Sequence, residues 1–115
     1  ALKDAVTQWA NVGGLISGLY SDNYELISNS LVDIIVEPVR KTLIPHFDKV
    51  KNAALNAGAL GAGISGSGPT IFALCKGDAI AEDVYKSIQE SYKNTGIDFE
   101  MFISKVNPNG MKILE

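Results

Sequence analysis

An α+β domain, with helices packed on one face of a mostly antiparallel sheet, is the fold this sequence predicts. Three observations predict it. Apolar residues recur at helical spacing near the start of the chain and again from Ile80 to Tyr92. A stretch of small residues and an apolar run flank a glycine-rich turn. Apolar and polar residues then alternate from Ile97 to Ile103, and this period of two belongs to a strand.

The elements follow in chain order. Leu2, Ala5, Val6, Trp9, Val12, Ile16, Leu19 and Tyr20 predict an amphipathic helix to about Tyr20, its apolar residues, Trp9 among them, most simply core. Gly13 and Gly14 interrupt it at a cost of about 1 kcal/mol each relative to Ala, so another backbone is expected to pack closely there. Ser21 or Asp22 is placed to cap a second helix carrying Tyr24, Ile27, Leu31, Ile34 and Ile35 on one face, with a break at Asn29 and Ser30. Pro38 ends that segment, because its ring disfavours helical geometry at Glu37. Val39 to Ile44 then reads as a link, and a third helix runs from about His46 to Ala57 with Phe47, Val50 and Ala54 inward. Gly58 supplies a left-handed C-terminal cap.

Leu60 to Ser65 reads as a strand of small residues, Gly66 to Pro69 as a tight turn and Thr70 to Lys76 as a buried strand. Asp78 is placed to cap a fourth helix bearing Ile80, Val84, Ile88 and Tyr92. Ile97, Phe99, Met101 and Ile103 form the half-buried strand, Asn107 to Gly110 is a turn, and Met111 to Leu114 is a short final strand. This β-β-α-β ending matches the second part of a ferredoxin-like unit, which needs one more strand before the first helix. The chain starts at Ala1 with helical patterning almost at once, so the expectation is one domain, residues 1–115, cut from a longer protein and lacking its first strand.

Composition narrows the function classes. Net charge is −3, which offers no basic footprint for nucleic acid. One Cys and one His exclude an internal disulfide and make a zinc site untenable, in keeping with a reducing cytosol. The longest apolar runs, such as Thr70 to Cys75, are far short of a membrane span.

Two segments carry candidate chemistry. Gly61, Gly63, Gly66 and Gly68 fall within ten residues. Such density suits a tight hairpin whose small residues pack under a helix, and it equally suits a turn whose successive N–H groups cup an anion. The segment lacks the Gly-Lys-Ser/Thr ending of a Walker A loop. Arg40 reads either as a surface charge beside Glu37 or as a guanidinium fork for a carboxylate. His46 is expected at the surface or as a cap, Asp48 as a support for the same helix end, and Cys75 as inert packing. Ser65, Ser67 and Thr70 have no His–Asp pair to activate a serine.

The stretch Gly63-Ile64-Ser65-Gly66-Ser67-Gly68-Pro69-Thr70 resembles the third conserved motif of the GHMP kinases, a superfamily of small-molecule kinases, and the likeness covers nearly the whole chain. It implies the ferredoxin-like C-terminal domain of that superfamily, with the loop Ser65, Gly66, Ser67 and Gly68 lying near the nucleotide phosphates. Glu37-Pro38-Val39-Arg40, followed by Leu43-Ile44-Pro45, is similar to the homoserine kinase segment whose arginine binds the amino-acid carboxylate. The resemblance therefore implies ATP, Mg²⁺ and L-homoserine as ligands of the full-length enzyme, in threonine biosynthesis in the cytoplasm, with Arg40 binding substrate. The nucleotide-binding N-terminal domain and a phosphate-linked Mg²⁺ carboxylate cluster are not found in these residues, so no catalytic residue, ATP or metal is expected on this chain alone. Its face toward the missing half is expected to be apolar and to support a homodimer. Two readings compete: a stand-alone ferredoxin-like module that binds an amino acid without chemistry, and a GHMP kinase for another small hydroxylated substrate.

Overall fold

The computed structural model describes residues 1–114. It contains α1 (Leu2–Ser21), α2 (Tyr24–Ser30), the one-turn helix α3 (Glu37–Arg40) running into a 3-10 turn (Lys41–Leu43), α4 (Phe47–Asn56), β1 (Gly61–Ile64), β2 (Ile71–Leu74) and α5 (Asp78–Tyr92). The strands form a two-stranded antiparallel sheet in which Ala62 pairs with Ala73 and Gly63 with Phe72. The expected combination of helices with an antiparallel sheet is present.

The core sits where α4 and α5 cover one face of the hairpin. Ala54, Ala59, Ala62 and Val84 are buried together, with Ala73, Cys75, Ile80 and Ile88 packed around them. Small residues at these positions let both helices approach the sheet closely. Phe47, Val50 and Ala54 are all buried, as the spacing predicts, and burial of a side chain the size of Val50 contributes about 1.5–3 kcal/mol. The α4 terminus is a Schellman cap. Gly58 has φ 105°, its N–H donates to Leu55 O at 3.0 Å, and Ala59 N–H donates to Ala54 O at 3.0 Å. Ser87 Oγ donates to Ala53 O at 3.0 Å and ties α5 to α4.

Helix α1 departs from expectation in the face it buries. A Cβ on Gly14 would collide with Ser30, and one on Gly18 would come within 2.8 Å of Ile27 Cγ1, so this glycine face receives α2. Gly13 has open space beside it and plays no part. The apolar stripe on the other side is exposed: Trp9 is 65% accessible, and Leu2, Val6, Val12, Ile16 and Leu19 are each half exposed or more. Trp9 and its neighbours are therefore not core among the described residues. Periodicity reports an apolar face without reporting what covers it.

Four boundaries also differ. Asn23 caps α2, its Oδ1 accepting from Leu26 N–H at 3.0 Å, while Asp22 takes a left-handed φ of 52° to end α1. Helix α2 stops at Ser30, at the expected break, but does not resume: Leu31 to Val36 runs as a loop held by α1, Asn11 Nδ2 donating to Val32 O and Ile34 N–H to Gln8 Oε1, both at 3.0 Å. Pro38 sits in the first turn of α3, where a missing N–H costs nothing, so it starts a helical turn instead of a link. Asp78 is the first residue of α5 and not its cap; Gly77, at φ 87°, holds that position.

The predicted strands at Ile97–Ile103 and Met111–Leu114 are absent. A strand exists only when its backbone groups pair with a neighbour, and no neighbour is available to either segment among the described residues. Alternation survives in part: Ile97 and Met101 are half buried, and Phe99 stacks on Tyr92 with ring centroids 4.5 Å apart. The turn at Asn107 does form, with Asn107 Nδ2 donating to Gly110 O at 2.7 Å.

Candidate functional site

The two candidate segments meet. Arg40, the last residue of α3, donates from Nη1 to the carbonyl oxygen of Ser67 at 3.0 Å. The loop between β1 and β2 is shaped by Gly66 at φ 59° and Gly68 at φ 78°, in the region open to glycine. Ser65 N–H donates to Thr70 O at 2.8 Å and Gly68 N–H to Ser65 O at 3.1 Å, closing the turn. The Gly68–Pro69 peptide is cis. Ser65, Gly66 and Ser67 are exposed and Gly68 is half buried. Among the described residues the N–H groups of Gly66 and Ser67 take no partner. A guanidinium with four of its five N–H donors unspent thus stands beside two open backbone donors, an arrangement that favours anionic groups.

A second charged pair underlies the first. Glu37 Oε1 accepts from Lys51 Nζ at 2.5 Å, and the two side chains are only 13% and 18% exposed. Lys51 also lies 5.9 Å from the centre of the Phe47 ring. Gly63 makes room for this pair, since a Cβ there would approach Glu37 Oε2 to 3.3 Å. Lys51 escaped the sequence reading, although a signal was present. Phe47, Val50, Lys51 and Ala54 stand at i, i+3, i+4 and i+7, so a lysine occupies the buried stripe of α4 and requires a counter-charge.

The remaining singled-out residues are placed as follows. Asp48 lies in the first turn of α4 and pairs with Lys41 at 3.0 Å. His46 is exposed, takes the N-cap position of α4 at φ 59° and makes no side-chain cap bond. Cys75 is half buried, and desolvation pushes its thiol above the ordinary value, as inert packing requires. Thr70 is exposed. A shallow cleft of about 150 Å³ lies between α1 and the hairpin, lined in part by Gln8, Asn11, Asp33, Glu37 and Phe72. Of α3 only Glu37 lines it, and Arg40 does not.

The carboxylates nearby are already engaged. Glu37 holds Lys51, Asp48 holds Lys41, and Asp33 Oδ1 accepts from Ile35 N–H at 2.9 Å and Val36 N–H at 2.8 Å. Among the described residues no three His, Cys, Asp or Glu side chains gather as metal ligands. The residues present do not fit a Mg²⁺ site. No described helix is long and apolar enough to cross a membrane.

Comparison with known proteins places this chain in a family. Residues 13–94 match the family model described as GHMP kinases C terminal. A homoserine kinase of Chloroherpeton thalassium is 47% identical over 115 residues, covering 99% of this chain and 36% of that protein. A homoserine kinase of Xylella fastidiosa is 34% identical over 113 residues, covering 98% of this chain and 35% of that protein. The crystal structure of homoserine kinase from Cytophaga hutchinsonii superposes with a TM-score of 0.90 at 48% identity, over 93% of this chain and 34% of that one. The chain thus spans about a third of the length of the relatives it matches.

Proposed function

The chain belongs to the GHMP kinase C-terminal family, and from that premise we propose that residues 1–115 form the C-terminal domain of a two-domain homoserine kinase. The intact enzyme would move the γ-phosphate of ATP to the side-chain hydroxyl of L-homoserine, with Mg²⁺, in the cytoplasm and on the route to threonine. The observation that carries the reading is the contact between Arg40 and Ser67. It joins the arginine suited to an amino-acid carboxylate to the loop suited to phosphate, so both ends of the reaction come within reach of one feature. The matches to homoserine kinases over nearly the whole chain support this reading and give nothing to a stand-alone regulatory module.

Phosphoryl transfer depends mainly on positioning and on neutralising charge, and this chain contributes accordingly. Arg40 grips the carboxylate through two parallel N–H···O bonds, which fix direction as well as distance. The loop of Ser65, Gly66, Ser67 and Gly68 turns its two open backbone donors, those of Gly66 and Ser67, toward the phosphates. ATP and Mg²⁺ are held by the part of the enzyme outside these residues. The exposed stripe of α1 packs against that part in the intact enzyme, and the chain by itself pairs through it as a homodimer.

The test is ADP release by the intact enzyme and by this chain alone. Homoserine-dependent turnover by the first and none by the second is expected. Turnover with a different small alcohol but not with homoserine would overturn the substrate assignment.

A further inference from the structure

We propose that the Glu37–Lys51 ion pair is the positioning device for Arg40, setting the direction in which its guanidinium points. The inference rests on the reading of Arg40 as the carboxylate-binding residue.

Helix α3 is four residues long and buries none of them. A single turn has no stability of its own, because nucleation fixes several residues for one hydrogen bond. Its orientation must come from side-chain contacts. Two reach across the fold: Glu37 to Lys51 on α4, and Arg40 to Ser67 on the loop. The second is exposed, and water and substrate compete for it. The first is sheltered, with its carboxylate and ammonium groups 13% and 18% exposed.

Lys51 is itself well fixed. Its neighbours on the α4 stripe, Phe47, Val50 and Ala54, are 2%, 1% and 1% exposed. The anchor for Glu37 is therefore part of the core. Residues three apart on a helix share a face, so fixing Glu37 fixes the rotation of the turn and with it the exit direction of Arg40. Gly63 completes the arrangement, leaving the space that Glu37 Oε2 occupies.

The experiment is steady-state kinetics on the intact enzyme with Arg40→Ala, Glu37→Gln, Lys51→Met, Lys51→Arg, the combination Arg40→Ala/Lys51→Met and the double variant Glu37→Gln/Lys51→Met. Misplacing a binding group by an ångström costs up to about a hundredfold. Lys51→Met is expected to raise KM for homoserine by roughly tenfold or more, with kcat and KM for ATP held within about threefold. Lys51→Arg, which keeps the charge, restores most of the loss. Adding Lys51→Met to Arg40→Ala raises KM no further. Should a single variant fold poorly because one charge is left unpaired, the double variant, which buries no lone charge, carries the same expectation.

A normal KM for homoserine in Lys51→Met and in the double variant, while Arg40→Ala raises it, overturns the inference and leaves the reading of Arg40 standing. A normal KM in Arg40→Ala overturns that reading and the inference together. Equal rises in both KM values alongside a lowered melting temperature would mark a purely structural pair and also overturn the inference.

Discussion

Arg40 Nη1 stands 3.0 Å from the carbonyl oxygen of Ser67, a hydrogen bond between residues 27 apart in the chain. The bond gives the loop one side-chain tether, and its removal should be visible in the loop. In Arg40→Met, amide exchange at Ser65 and Gly68, whose N–H groups close the turn, is expected to quicken while exchange in α4 and α5 stays as it was. Hydrogen exchange read by NMR checks this, and unchanged loop protection would mean that the tether does not act in solution.

The glycines of α1 should separate by position. Gly13→Ala meets open space and removes backbone entropy from the unfolded chain, so it is expected to stabilise by about 0.5–1 kcal/mol. Gly14→Ala collides with Ser30, and Gly18→Ala meets the side chain and backbone of Ile27. Each is expected to destabilise by about 1–3 kcal/mol. Urea denaturation measures all three, and equal effects would remove the claim that α2 packs on a glycine face.

These glycines also show where the sequence was legible and where it was not. Patterns that depend on neighbours along the chain came through: Phe47, Val50 and Ala54 as a buried stripe, Gly58 as a left-handed cap, and the turn between β1 and β2. Patterns that depend on a distant partner did not. The stripe of Trp9 and Ile16 shows that something apolar faces α1, but the side facing α2 is marked only by Gly14 and Gly18. The alternation of Ile97 to Ile103 is strand-like, yet pairing needs a second row of backbone groups. At the site, Arg40 and the loop were legible as motifs, whereas their contact depends on a fold that brings α3 over the hairpin. Lys51 was legible in principle, as a charge in an apolar stripe.

The α1 stripe predicts self-association of the isolated chain. Sedimentation velocity should show a dimer, and Trp9→Asp combined with Ile16→Lys should shift it to monomer without loss of helical signal, since neither residue is buried. A monomer at all concentrations for the unaltered chain would contradict the homodimer.

Alkaline pH should weaken the fold. Burial pushes the Cys75 thiol and the Tyr92 phenol up from their ordinary values. The folded chain therefore keeps these protons at a pH where the unfolded chain gives them up. Stability is fully present below the unfolded thiol value and falls as pH rises through the folded ones. Denaturant midpoints should decline above about pH 9, and Cys75→Ala should blunt the first part of that decline. Alkylation of Cys75 by iodoacetamide near neutral pH should be slower than that of a free thiol peptide.

The account turns on Arg40 holding a carboxylate, and a substrate without one tests it most directly. The measurement is kcat/KM of the intact enzyme and its Arg40→Ala variant with homoserine and with 3-aminopropan-1-ol, which has the same hydroxyl and amine but no carboxylate. The variant is predicted to lose about a hundredfold with homoserine, the worth of roughly 3 kcal/mol in charge-assisted hydrogen bonds, and nothing with the amino alcohol. Equal losses on both substrates would contradict the account.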